Sequence, residues 1–196
     1  MLANILFPQG CELEIAQIGL NGVGITIQIF CQTACATCPE CQQRSTRPHS
    51  HYYRFPNDLP CVGLPVNLQI RVRRFFCDNF GCRKRTFAEQ FPEVLSPNAR
   101  QTGRLISTLT QIGFEVSAEC GARLSSWCGM TRSPDSFLRF VRQMPEPTIT
   151  TPRVLGVDDW AKRKGHNYGT ILIDLETHQV VDVLSERTAS AFADWL

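Results

Sequence analysis

Cys38-Pro-Glu-Cys41 and Cys77-Asp-Asn-Phe-Gly-Cys82 are two short cysteine clusters of the kind that close around a soft metal ion. A tight turn sets two thiolates about one ion's width apart, and two such turns supply the four ligands of a tetrahedral Zn2+ site. Cys35-Ala-Thr-Cys38 offers a competing C-x-x-C register. The Cys38/Cys41 pair is preferred because Pro39 presets the turn. His49 and His51 are alternative ligands, read here as side chains beside a strand. Cys120 and Cys128 fall on an apolar helix face, where a free thiol behaves as a small hydrophobe. Cys11, Cys31 and Cys61 receive no assignment. Arg83-Lys84-Arg85 follows the second cluster directly, so a basic run lies beside the metal.

The chain has 196 residues, enough for one to two ordinary domains or several small ones. No apolar run approaches the roughly 18 to 20 residues that span a membrane. Met1 to Gly10 has neither a positive n-region nor a long apolar h-region, so no secretion is expected. The ten cysteines are then thiols and metal ligands of a reducing cytosol rather than a disulfide framework. Net charge is only +2, yet residues 38 to 104 hold eleven Lys/Arg against five Asp/Glu. A local excess of that kind can neutralise phosphates; its bland alternative is a solvated basic face.

The elements that must carry these groups follow from periodicity. Val23, Ile25, Ile27 and Ile29 alternate with Gly24, Thr26, Gln28 and Phe30, as in a strand. His51 to Phe55 is a short strand, and Val66, Leu68, Ile70 and Val72 mark a longer one with a basic outer face that runs into Cys77. A ligand pair at each end of β-hairpin material builds a zinc ribbon. From Ser96-Pro97 the period turns helical, with Leu105, Ile106, Leu109 and Ile112 on one stripe. A second helix starts near Ser117, with Cys120, Leu124, Trp127 and Cys128 inward and Gly129 at its C-terminus. Ser133-Pro134 opens a third, with Phe137, Leu138, Val141 and Met144 inward. Three short helices with a Gly-containing turn between the last two are compatible with a helix-turn-helix. Met144 to Arg153 reads as a linker. Val154 to Trp160, Tyr168 to Leu175 and Gln179 to Leu184 are strands, and a helix starts at Thr188 or Ser190.

Two further groups have chemistry in them. The third helix carries a polar face of Asp135, Ser136, Arg139, Arg142 and Gln143. In a helix-turn-helix such a face enters the major groove, where Arg pairs with guanine and Gln with adenine; otherwise it is the solvated side of an amphipathic helix. Asp158 ends an apolar strand segment, as does the first metal-binding carboxylate of nuclease-type folds, where two or three carboxylates converge on two Mg2+ ions. A strand-end Asp is also a common turn former.

The order CPEC, HSHYYR, RVRRFFCDNFGCRKRTFAE, a helix-turn-helix region, then VLGVDDWAKRKGHNYGTILIDLETHQVVDVL resembles bacterial insertion-sequence transposases of the ISL-three group, from about Cys38 to Leu196. The resemblance implies an N-terminal zinc finger and helix-turn-helix that recognise terminal inverted repeats of double-stranded DNA. It also implies an RNase H-like DDE domain that cuts and joins DNA with Mg2+. Carried over, Cys38, Cys41, Cys77 and Cys82 match the zinc ligands, and Asp158 the first catalytic aspartate. Asp159 is the less favoured partner, since the motif places an acidic residue after the catalytic one; Asp174 and Asp182 match no catalytic position, and the second aspartate and the glutamate of the family fall beyond Leu196.

The expected fold is therefore multidomain α+β. A β-rich zinc-finger domain spans 1–95, a helix-turn-helix region 96–144, a linker 145–152, and the first part of an RNase H-like domain 153–196. Arg83, Lys84 and Arg85 are expected on phosphates and Arg139 and Arg142 on bases, with Ser136 and Gln143 among the DNA-binding residues. The expected role is terminal-repeat binding by a truncated transposase, inactive alone, cytoplasmic and nucleoid-associated, with possible self-association and no membrane contact. Its alternatives are a zinc-ribbon/helix-turn-helix regulator without catalysis and a zinc-stabilised protein-interaction module.

Overall fold

The computed structural model describes residues 6–7, 12–145, 151–163 and 165–196. The chain divides into two units, one up to Met144 and one from Pro145. Most of the stretch expected as a linker, residues 146–150, lies outside the described residues, as does Cys11.

The first unit is built on strand β7 (Leu64–Phe76). Its residues alternate, so Val66, Leu68, Ile70 and Val72 are buried while Asn67 and Arg71 are exposed. β1 (Leu13–Asn21) and β2 (Gly24–Cys31) form an antiparallel hairpin, closed where Asn21 Oδ1 accepts from the Gly24 amide at 2.8 Å. β2 then lies parallel to β7, and β5 (Pro48–Arg54) lies antiparallel on the other side, giving the order β1-β2-β7-β5. β6 (Asn57–Cys61) and β8 (Thr86–Ala88) also pair with β7. The short hairpin of β3 (Ala36–Thr37) and β4 (Arg44–Ser45) stands apart. Ile27, Ile29 and the buried row of β7 pack under Phe91, Val94 and Leu95, so one face of the sheet is core.

Among the described residues three helices follow in this unit: α1 (Gly103–Glu115), α2 (Ala118–Trp127) and α3 (Pro134–Arg142). The helical region begins later than Ser96-Pro97 suggests. Ser96 to Ala99 is a turn, with the Ala99 amide on the Ser96 carbonyl at 3.1 Å and Asn98 at φ 60°. The cap is Thr102, whose Oγ1 accepts from Leu105 N and donates to the buried Asp58 of β6 at 2.7 Å. A tertiary partner decides the start.

The buried face of α2 also differs from the expectation. Trp127 is 80% exposed and Cys128 is exposed, whereas Gly121 and Ser125 are buried. The Phe137 ring of α3 fills the space: a Cβ on Gly121 would meet it at 3.1 Å. Small residues let the helices close, and the large ones are left outside. In α3 the inward residues are Phe137 and Phe140, while Leu138 is 44% exposed. Gly129, at φ 80°, ends α2 in the left-handed conformation open to glycine.

The second unit is an antiparallel sheet in the order β11-β10-β9, from β9 (Leu155–Arg163), β10 (Asn167–Asp174) and β11 (Gln179–Leu184). Leu172 is its fully buried residue. Helix α4 (Ala189–Trp195) follows, capped by Thr188 Oγ1 on the Ala191 amide. Among the described residues no helix is long and apolar enough to cross a membrane.

Candidate metal centre and nucleic-acid interface

The β3–β4 hairpin makes the first knuckle. The Cys38 amide donates to Gln43 O at 2.9 Å, the Gln42 amide to Cys38 O at 3.0 Å, and Gln42 takes φ 59° to complete the turn. The end of β7 and the start of β8 hold the second. There the Cys77 amide donates to Arg85 O at 2.9 Å, and Asn79 Oδ1 accepts from the Gly81 amide at 2.9 Å. The Lys84 amide points at Cys82 Sγ from 3.4 Å.

These turns bring the sulfurs of Cys38, Cys41, Cys77 and Cys82 within 4.8 Å of one another. Cys38 and Cys82 are 3.9 Å apart, and Cys41 and Cys77 are 3.5 Å apart. A tetrahedron with metal–sulfur bonds of about 2.3 Å has edges of about 3.8 Å, so the cage is the size Zn2+ takes. Phe75 and Phe87, stacked at 6.0 Å, pack beneath it. The Gln43 amide holds the Cys41 thiol down to about 7, with the neighbouring thiols helping against desolvation. Cys77 is pushed up to about 12; the Asn79 amide pulls the other way, but desolvation and the facing sulfurs prevail. Four crowded thiols cannot all ionise without a cation among them.

The competing donors stay out of the cage. Cys35 takes a hydrogen bond from Arg44 at 2.7 Å, Cys31 lies 2.8 Å from Thr33 Oγ1, and Cys61 and Cys128 are exposed. His49 packs edge-on to Phe76 and His51 edge-on to Tyr53.

The basic excess divides into structural and open charges. Arg104 reaches Asp58, Arg73 pairs with Glu89 at 2.6 Å, Arg47 with Asp78 at 2.7 Å, and Arg54 donates to Ala99 O at 2.6 Å. Burial alone would raise the Asp58 carboxyl, but hydrogen bonds from Arg104 and Thr102 hold it below the usual carboxylate range. Partners far along the chain hid these pairs from the sequence. By contrast, Arg83, Lys84 and Arg85 are exposed, with no side-chain ion pair among the described residues.

On α3, Arg139, Arg142 and Gln143 are exposed opposite Phe137 and Phe140. Ser136 is half-buried, its hydroxyl 3.1 Å from that of Ser133. Asp158 sits in mid-β9 opposite Ile171, exposed, with Oδ1 on the Asp159 amide at 2.7 Å. Asp159 pairs with Arg187 at 3.0 Å, Asp174 closes a turn onto the Glu176 amide, and Asp182 accepts from Trp195 Nε1 at 2.8 Å. Among the described residues no carboxylate cluster gathers around Asp158, so these groups do not make a two-Mg2+ site by themselves.

Residues 35–82 match the family model described as the zinc-finger of transposase IS204/IS1001/IS1096/IS1165. The transposase for insertion sequence element IS1001 of Bordetella parapertussis is 26% identical over 178 residues, covering 88% of this chain and 43% of that protein. The chain thus spans less than half the length of that curated relative. No solved structure matches it. With a four-cysteine ribbon where the family model places one, and likeness to a transposase along most of its length, the chain resembles the insertion-sequence transposases of the ISL3 group.

Proposed function

We propose that this chain is the DNA-recognition part of an insertion-sequence transposase and binds the terminal inverted repeats of its element. The observation that carries this reading is the open face of α3, with Arg139, Arg142 and Gln143 exposed while Phe137 and Phe140 fix the helix to its neighbours. As the second half of a helix-turn-helix, α3 lies in the major groove with those side chains at base edges. Structural Zn2+ held by Cys38, Cys41, Cys77 and Cys82 keeps Arg83, Lys84 and Arg85 in place as phosphate contacts.

In the same reading β9 to β11 open an RNase H-like catalytic domain and Asp158 is its first metal-binding carboxylate. Cleavage and strand transfer belong to the whole transposase. That no carboxylate cluster gathers around Asp158 among the described residues favours, as a second reading, a DNA-binding regulator without catalysis. Val157, Val180 and Val183, each more than two-fifths exposed, supply apolar surface for self-association.

Salt dependence tests the phosphate contacts. Replacing Arg83, Lys84 and Arg85 by Ala weakens binding to every duplex alike and lowers the log–log salt slope by about 2 to 3, near 0.9 per lost contact. An unchanged slope removes these residues from the interface.

A further inference from the structure

The sheet of the first unit has a second face, opposite its core, whose side chains the duplex reading leaves unused. Backbone pairing aligns Glu14, Phe30, Arg71 and Tyr53 across β1, β2, β7 and β5. The adjacent row is Gln17, Gln28 and Gln69. Cross-strand neighbours share a face, so a guanidinium stands between two aromatic rings with a line of amides beside it. Tyr53 is 47% and Phe55 65% exposed, their ring centres 6.5 Å apart.

Arg71 is the informative member. It is exposed and makes no side-chain hydrogen bond or ion pair among the described residues. Its nearest neighbours on this face are Phe30, Tyr53, Gln69 and Arg73, and Arg73 is already held by Glu89. Glu14, the carboxylate of the row, stands two strands away. The face therefore combines uncompensated positive charge with open aromatic surface. A ligand that matches both is anionic and flat.

Unpaired nucleotides have both properties. Their phosphates answer Arg71, and their base faces, hidden in a duplex, are free to stack. The glutamine amides offer donors and acceptors to base edges. We propose that this sheet face binds a short unpaired DNA segment, with bases stacked on Tyr53, Phe55 and Phe30 and Arg71 holding the strand between them. The proposal rests on the reading of the chain as a DNA-binding protein, but uses a surface other than α3 and the basic run.

The test uses the full zinc-loaded chain and two fluorescein-labelled probes, a thymine-only single strand and the terminal-repeat duplex, read by anisotropy. The double variant Tyr53→Ala/Phe55→Ala is expected to lose about tenfold or more in single-strand affinity, within the range that stacking on aromatic side chains supplies. Tyr53→Phe keeps the ring and should stay within about twofold, and duplex affinity should not move in either variant. A 2-aminopurine in the single strand should be quenched by the parent protein and not by the double variant. Single-strand binding that ignores Tyr53 and Phe55, as when the face serves a protein partner, overturns the proposal. So does equal loss on both probes, or loss in Tyr53→Phe as large as in the double variant. If the duplex binds and the single strand does not, this proposal fails alone. If the single strand binds through Tyr53 and the repeat gains nothing over random duplex, it is the α3 reading that fails.

Discussion

Asp58 of β6 accepts from Arg104 in the first turn of α1, and its side chain is 1% exposed against 39% for the arginine. Thr102 donates to the same carboxylate while capping the helix. One carboxylate thus fixes both where α1 begins and where it meets the sheet.

Removing that carboxylate leaves Arg104 and Thr102 without their acceptor. Asp58→Ala should cost about 3 kcal/mol, the low end for breaking a buried pair, because Arg104 keeps part of its hydration. The folded carboxyl lies below its ordinary 3.8. Its contribution is therefore complete above that value and disappears as pH falls through the depressed one. Thermal melts of parent and Asp58→Asn proteins should differ at pH 7 and converge once the pH falls below the depressed value of the folded carboxyl. A gap that persists in acid contradicts the pairing.

The zinc cluster has its own small core of Phe75 and Phe87, separate from the one under the main sheet. Structural zinc contributes on the order of 10 kcal/mol in small modules. Cys82→Ser should release amide protection at residues 36–45 and 75–88 while the core strands β2 and the first half of β7 stay protected. Hydrogen exchange with metal analysis decides it, and less than about half an equivalent of zinc in the parent protein would refute the site.

The close contact of α2 with α3 predicts an inverted size rule. Gly121→Ala, one methyl group, sets a Cβ 3.1 Å from the Phe137 ring and should destabilise by about 1 to 3 kcal/mol. Trp127→Ala removes the largest side chain of α2 and should shift stability by less than about 0.5 kcal/mol. Chemical denaturation of the two variants compares them directly.

Those helices also mark how far the sequence reaches. The knuckles are legible because each ligand pair is local and its turn is closed by neighbours, and β7 is legible from its alternation. Ser117 and Thr188 cap the helices they precede, since each accepts from an amide three residues on. Ser96 does not, because Asp58, 44 residues before Thr102, selects the later cap. The α2 face is not legible from apolarity: Trp127 outranks Gly121 on any such scale, but only a residue without a side chain admits Phe137. The basic excess is legible as a net charge but not in which cations stay open, since Arg104 is held by a partner 46 residues away.

Among the described residues no carboxylates converge on Asp158, so the 196-residue chain should not nick an end-containing duplex in Mg2+ or Mn2+. Metal-dependent nicking abolished by Asp158→Asn would reverse that expectation.

The most direct measurement is a binding titration of the purified chain on the terminal inverted repeat of its own element, beside a duplex of the same composition in scrambled order. The repeat should bind more tightly, and Arg139→Ala should narrow the gap by about 1 to 3 kcal/mol, the worth of one bidentate base contact, while scrambled duplex is unaffected. Equal affinity for both duplexes, unmoved by Arg139→Ala, would contradict terminal-repeat recognition by α3.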